Sequence, residues 1–171
     1  LLDIIVTRRK EIDRKTTNVS GIFSYLQEIY DETKNPEDGR VKVNICWEEG
    51  ELYAEENLLK TVLINLTDNA IKASEEGQTV EITGRRMENG YYFQVRDEGI
   101  GIPEEELYKI TEAFYMVDKS RSRAHNGAGL GLALCTAILE LHHSRLKIES
   151  TQGLGSCMSF LIPDEGVKTD E

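Results

Sequence analysis

Arg96-Asp97-Glu98-Gly99-Ile100-Gly101-Ile102-Pro103 is the stretch that decides the fold of this chain. An alternating apolar run, Tyr91-Tyr92-Phe93-Gln94-Val95, leads into it. The pair reads as a strand that delivers a carboxylate to a glycine turn. Glycine has no Cβ, so a flat ligand can lie against bare backbone. The carboxylate can accept a hydrogen bond from an amine on a ligand's edge, and adenine offers such an amine. Asp-Gly turns are also common plain connections between strands, so the stretch needs companions.

Three companions stand at fitting distances. Upstream is Asn65-Leu66-Thr67-Asp68-Asn69-Ala70-Ile71-Lys72. Downstream are the run from Ala113 to Arg123, which contains Phe114 and Tyr115, and Gly127-Ala128-Gly129-Leu130-Gly131-Leu132. In this order they resemble the Asn, first glycine, Phe and second glycine boxes of sensor histidine kinase ATP-binding domains. The resemblance runs from about Val19 to Pro163. The same superfamily holds gyrase, a heat-shock chaperone and the mismatch-repair ATPases.

Composition sets bounds. The 171 residues suffice for one domain with a sizeable core. No stretch approaches the roughly 20 apolar residues of a membrane span, and none reads as a signal peptide. The chain opens on Leu1-Leu2-Asp3 without a methionine and reads as a fragment of a longer protein. Asp plus Glu outnumber Lys plus Arg by 31 to 20, for a net charge of -11. That opposes nucleic-acid binding, and any phosphate site must be built locally. Cys46, Cys135 and Cys157 are scattered through apolar runs and read as buried free thiols of a reducing compartment, not as a metal site.

Periodicity supplies the elements. Ile22, Phe23, Leu26, Ile29 and Tyr30 place a helix over 20–33. The clearest helix runs from about Glu56 to Ala73. Leu59, Val62, Leu63, Leu66, Ala70 and Ala73 share one face of it, and Asn65, Asn69 and Lys72 form a separate polar stripe. That stripe is either a solvated flank or one wall of a cleft. Strands are expected at Val41 to Ile45, Val80 to Met87, Tyr91 to Asp97, Leu146 to Ser150 and Cys157 to Ile162. Pro103-Glu104-Glu105-Glu106 reads as a helix start. Residues 115–128 read as a mobile loop, and a helix follows from about Gly129 to Leu141. The fold class is therefore α+β, a two-layer sandwich. A mixed, mainly antiparallel sheet of about five strands carries three helices on one face, the Bergerat-type ATP-binding fold of the family.

The resemblance implies ATP and Mg²⁺ as ligands. Asp97 would fix adenine, with Gly99, Gly101 and Ile102 beside it. Asn69 would ligate the metal, with Asn65 supporting its water shell. Asn65, Lys72 and Arg121 form the implied catalytic set. Lys119 and Arg121 would meet phosphate, although each alone reads as a solvated loop charge. Phe114 would anchor the lid, and Tyr115 beside it is implied among the nucleotide-binding residues. Gly127, Gly129, Leu130, Gly131 and Leu132 would open a helix whose free N–H groups face the phosphates, and the glycines can also act as a hinge. Two positions depart from the family pattern. Met116 stands where arginine is frequent, which leaves a phosphate contact to Arg121. Leu141-His142-His143 replaces the usual Leu-His-Gly, so His143 is read as a helix-end residue with positive φ, not as a phosphoacceptor.

Hydrolysing relatives, and the anti-sigma serine kinases, carry glutamate where Asn65 stands, and an amide is a poor base. This favours a histidine kinase whose acceptor lies on another domain. An ATPase switch and a serine kinase remain the alternatives. The implied layout is the end of a dimerisation and phosphotransfer helix at 1–18, the catalytic domain at 19–163 and an acidic tail at 164–171. Implied partners are the phosphoacceptor domain of the same protein and a response regulator. The full-length parent would be a homodimer, the fragment a monomer in the cytoplasm without membrane contact.

Overall fold

The computed structural model describes residues 12–31, 41–111 and 130–165. The expected segments at 1–11, 32–40, 112–129 and 166–171 lie outside the described residues.

Five strands form the main sheet. They are β2 (Lys42–Trp47), β4 (Thr79–Met87), β5 (Gly90–Asp97), β6 (Lys147–Thr151) and β7 (Gly155–Pro163), in the order β2-β4-β5-β7-β6. β2 and β4 are parallel and the other pairs are antiparallel. The alternation in sequence becomes alternation between faces. Val80, Ile82, Tyr91, Phe93, Val95, Met158, Phe160 and Ile162 are buried. Lys42, Asn44, Cys46, Glu81 and Arg96 are exposed. The exposed Cys46 corrects the expectation of a buried thiol; Cys135 is buried and Cys157 half-buried.

Three α-helices supply the second layer: α1 (Val19–Ile29), α2 (Glu56–Ala73) and α3 (Gly131–Leu141). α2 lies against β4, β5 and β7 and contacts both α1 and α3. It buries Leu59, Val62, Leu63, Leu66 and Ala70, as its period requires, while Ala73 is half-buried. α1 is capped by Asn18, whose Oδ1 accepts from Ser20 N–H, and it buries Val19, Ile22, Phe23 and Leu26. Full burial of such side chains stabilises by about 1.5–3 kcal/mol each before entropy is counted. Phe23 stacks on Trp47 and Phe93, with centroids 5.1 and 5.7 Å apart. Gly84 makes room for it, because a Cβ there would lie 2.4 Å from the Phe23 ring.

Two expectations are corrected. β1 (Lys15–Asn18) pairs antiparallel with β3 (Glu51–Ala54), so residues 15–18 form a strand where the end of a helix was expected. Pro103-Glu104-Glu105-Glu106 starts only a 3-10 turn over Glu104–Glu106, where no side chain caps the free N–H groups. Asp164, just after β7, pairs with Arg86 through both carboxylate oxygens.

Candidate nucleotide site

The site is built along the C-terminal half of α2. Asn65 and Asn69 are half-buried and Lys72 is exposed, one helical turn apart. Asn65 Nδ2 donates back to Thr61 O at 2.8 Å. Its Oδ1 then faces the start of α3, where a Cβ on Gly131 would stand 3.0 Å from Asn65 Oδ1 and 3.9 Å from Asn69 Nδ2. Leu130, at the cap position, makes no side-chain cap bond, so among the described residues no side chain is recorded as capping the first N–H groups of α3.

Beyond Lys72, the helix end meets the glycine turn. Ile100 N–H donates to Ala73 O at 3.0 Å, and a Cβ on Gly99 would lie 2.2 Å from that oxygen. Gly101 has φ +63°, and a Cβ there would lie 2.1 Å from Thr151 O. The glycines were read as leaving room for a ligand. Where their Cβ atoms would sit, protein backbone is already present.

Asp97 ends β5 on the helical side of the sheet and is only 6% exposed. Its Oδ1 accepts from Gly99 N–H at 2.9 Å and Ser156 N–H at 3.2 Å. Oδ2 accepts nothing among the described residues. Burial holds the carboxyl above its ordinary value, against the pull of those two donors. The turn is fastened further by Ile102 N–H to Ser150 Oγ at 2.8 Å and Gly153 N–H to Ile100 O at 2.8 Å.

The structure thus brings Asn65, Asn69 and Gly131 together, and it sets the Asp97, Gly99, Gly101 and Ile102 turn at the other end of the same helix segment. Leu130 and Leu132 are half-buried at the start of α3. Phe114, Tyr115, Lys119, Arg121, Gly127 and Gly129 lie outside the described residues.

Two acidic side chains of α2 have partners away from the amide stripe. Asp68 Oδ1 accepts from Tyr30 Oη at 2.9 Å, toward α1, and Glu56 pairs with Lys60 at 2.6 Å. Burial, then the Asp68 charge, raises the Tyr30 phenol. Among the described residues no three His, Cys, Asp or Glu side chains form a metal cluster. The stripe instead presents two neutral amide oxygens. That donor set fits a hard cation that brings anionic oxygens with it, as a phosphate-bound Mg²⁺ does.

Sequence reasoning missed Ser150 and Ser156, which hold the turn. It also missed His142, read only as part of a helix end. His142 Nδ1 donates to Ile138 O at 2.8 Å, and Nε2 accepts from Glu55 N–H at 3.1 Å. The signal was present, because His142 continues the stripe of Cys135 and Ile138 at helical spacing. His143 has φ 55°, as expected. His143 N–H donates to Glu140 O and Ser144 N–H to Leu139 O, which completes a Schellman end.

Residues 54–166 match the family model described as histidine kinase-, DNA gyrase B- and HSP90-like ATPase. The chain belongs to this family. It is similar to the phosphate regulon sensor protein PhoR of Haemophilus influenzae, with 42% identity over 112 residues, covering 66% of this chain and 26% of that protein. It is also similar to the sensor histidine kinase WalK of Bacillus subtilis, with 36% identity over 125 residues, covering 71% of this chain and 20% of WalK. The catalytic domain of histidine kinase ThkA superposes with a TM-score of 0.75 at 26% identity, covering 90% of this chain and 97% of that domain. The chain therefore matches about a quarter or less of these curated relatives, and nearly all of an isolated catalytic domain. No helix among the described residues is long and apolar enough to cross a membrane.

Proposed function

We propose that this chain is the ATP-binding catalytic domain of a two-component sensor histidine kinase. It transfers the γ-phosphate of Mg-ATP to a histidine on a dimerisation domain outside these 171 residues. One observation carries the choice within the family. The helix wall that would hold a hydrolytic base offers an amide, Asn65, and the nearby carboxylates of Asp68 and Glu56 are bonded elsewhere. With no free base recorded on this helix wall among the described residues to activate water or a serine hydroxyl, the site binds and presents ATP, and an imidazole supplied by another domain acts as nucleophile.

Each residue then has a task. Asp97 Oδ2 is the oxygen left to accept the adenine amine, while Oδ1 keeps the turn in place. Asn69, with Asn65 beside it, would hold Mg²⁺, which supplies charge neutralisation to the phosphates. Lys72 meets phosphate as a point charge. The opening N–H groups of α3 face the same anion. Lys119 and Arg121 are assigned to the γ-phosphate from the sequence, with Arg121 covering for Met116. The partners are the phosphoacceptor domain of the same protein and a response regulator. The parent protein is a homodimer, and this part of it works in the cytoplasm, where ATP is present.

Incubation with γ-labelled ATP, with and without the parent's dimerisation domain, tests this. The chain alone should bind Mg-ATP without labelling itself. It should label the added domain's histidine slowly, since the tether's effective concentration is lost. Rapid phosphate release without label would favour an ATPase switch, and label on a serine would favour a serine kinase.

A further inference from the structure

α2 and α3 touch at three levels and run in opposite directions. Glu55, at the cap of α2, meets His142; Val62 meets Cys135; Asn65 meets Gly131. Seven residues separate the first two levels on both helices (55 to 62 and 135 to 142), so the contacts step together at the same 1.5 Å rise. The middle contact is a loose one, Cys135 Sγ to Val62 O at 3.7 Å. At the third level a side chain faces a glycine. The first level is the shorter of the two hydrogen bonds recorded between these elements, 3.1 Å against 3.7 Å from the weak thiol donor, and His142 is 1% exposed there. Both imidazole nitrogens are committed there. Ile138 O can only accept, so Nδ1 carries the proton, and Glu55 N–H can only donate, so Nε2 is bare.

We propose that neutral His142 is a positioning residue that fixes the axial register of α3 on α2, and thereby places the amide end of α3 beside Asn65 and Asn69. The link to nucleotide rests on the kinase reading of that site; the register itself does not. Protonation at Nε2 would set a donor against the Glu55 N–H donor and break the pin. The charged groups around the ring are Arg14, before β1, Glu55 at the start of α2, and His143. Arg14 and His143 oppose the imidazolium and Glu55 favours it, but the Glu55 carboxylate already accepts from Asn57 and Leu58 N–H. With burial as the largest effect, the ring stays neutral at pH 7, and acidification releases the pin.

The test compares the unaltered chain with His142→Gln and His143→Asn between pH 8 and 5.5, by amide NMR and by Mg-ATP titration. In the unaltered chain and in His143→Asn, the Glu55, Gly131 and Asn65 resonances should move together as the His142 ring titrates. In His142→Gln that common titration should vanish, and ATP affinity at pH 8 should drop by roughly twofold to thirtyfold. Phosphate and Asp97 ionisation act equally in all three chains and cancel in the comparison. A Glu55 resonance that titrates while Gly131 and Asn65 stay still would overturn the inference, as would a His142→Gln chain that matches the unaltered one in shifts and affinity. Failure of the unaltered chain to bind ATP at all would overturn the proposed function, and the NMR comparison would still decide the register.

Discussion

Ser156 stands opposite Asp97 across the β5–β7 ladder, and its N–H donates to Asp97 Oδ1 at 3.2 Å. With Gly99 as the second donor, one carboxylate oxygen is spent on the fold and the other is left for a ligand. Asp97→Asn separates these roles. The amide oxygen can keep both backbone donors, so the unfolding midpoint should change little. ATP affinity should fall by about 1.5–3 kcal/mol, the contribution of a hydrogen bond to a charged group. Titration calorimetry showing unchanged affinity would remove Asp97 from the adenine site.

Gly153 and Gly155 flank the same turn and both have positive φ, +81° and +100°. A Cβ on Gly153 meets nothing within 4 Å, whereas one on Gly155 would lie 2.1 Å from Asp97 O. Gly153→Ala should cost only the strain of its backbone, about 1 kcal/mol. Gly155→Ala should cost more, and it should also weaken ATP binding because it displaces Asp97. Equal urea midpoints for the two variants would show that close approach is not what requires glycine at 155.

Tyr30→Phe should destabilise the chain by about 1.5–3 kcal/mol, since it removes a hydrogen bond to the Asp68 carboxylate. The urea midpoint should move with the slope m unchanged. ATP affinity should hold, because Asp68 faces α1 and not Asn69. A fall in affinity at full stability would mean that Asp68 acts in the site.

Stability should also depend on pH through His142. Burial holds the folded imidazole below its ordinary value of 6.5. Above pH 6.5 both folded and unfolded rings are neutral and the group contributes no pH slope. Below it the unfolded ring takes up a proton first, so stability falls with pH until the folded ring titrates too. Urea unfolding of the unaltered chain should therefore lose stability more steeply below pH 6.5 than His142→Gln does. Parallel pH curves for the two chains would contradict the buried neutral ring.

The five central strands and α2 were legible because their residues alternate or recur at one helical period, and each period maps directly onto a buried face. The site's two amide positions were legible for the same reason, since Asn65 and Asn69 fall off the apolar face of α2 in a stripe of their own. β1 and β3 were not. Each has four residues, and their pairing joins Thr17 to Leu52 across a long stretch of intervening chain, which no local pattern announces. The three glutamates after Pro103 carry helix-start chemistry, yet the turn they begin has no buried face to extend it. The surroundings of Gly99 were not legible for a related reason. Sequence shows that a Cβ is absent but not what occupies its place, and here that is Ala73 O.

The β1–β3 ribbon has a practical consequence for anyone shortening this protein. Leu52 and Ala54 of β3 are buried, and β1 occupies the edge beside them. A recombinant version begun at Val19 would keep every part of the candidate site and still leave that edge bare, a ready template for pairing with another copy. It would also drop the Asn18 cap of α1. Shortened versions should start ahead of Lys15, and clumping of one that starts at Val19 would reflect an unsheathed strand, not a faulty ATP pocket.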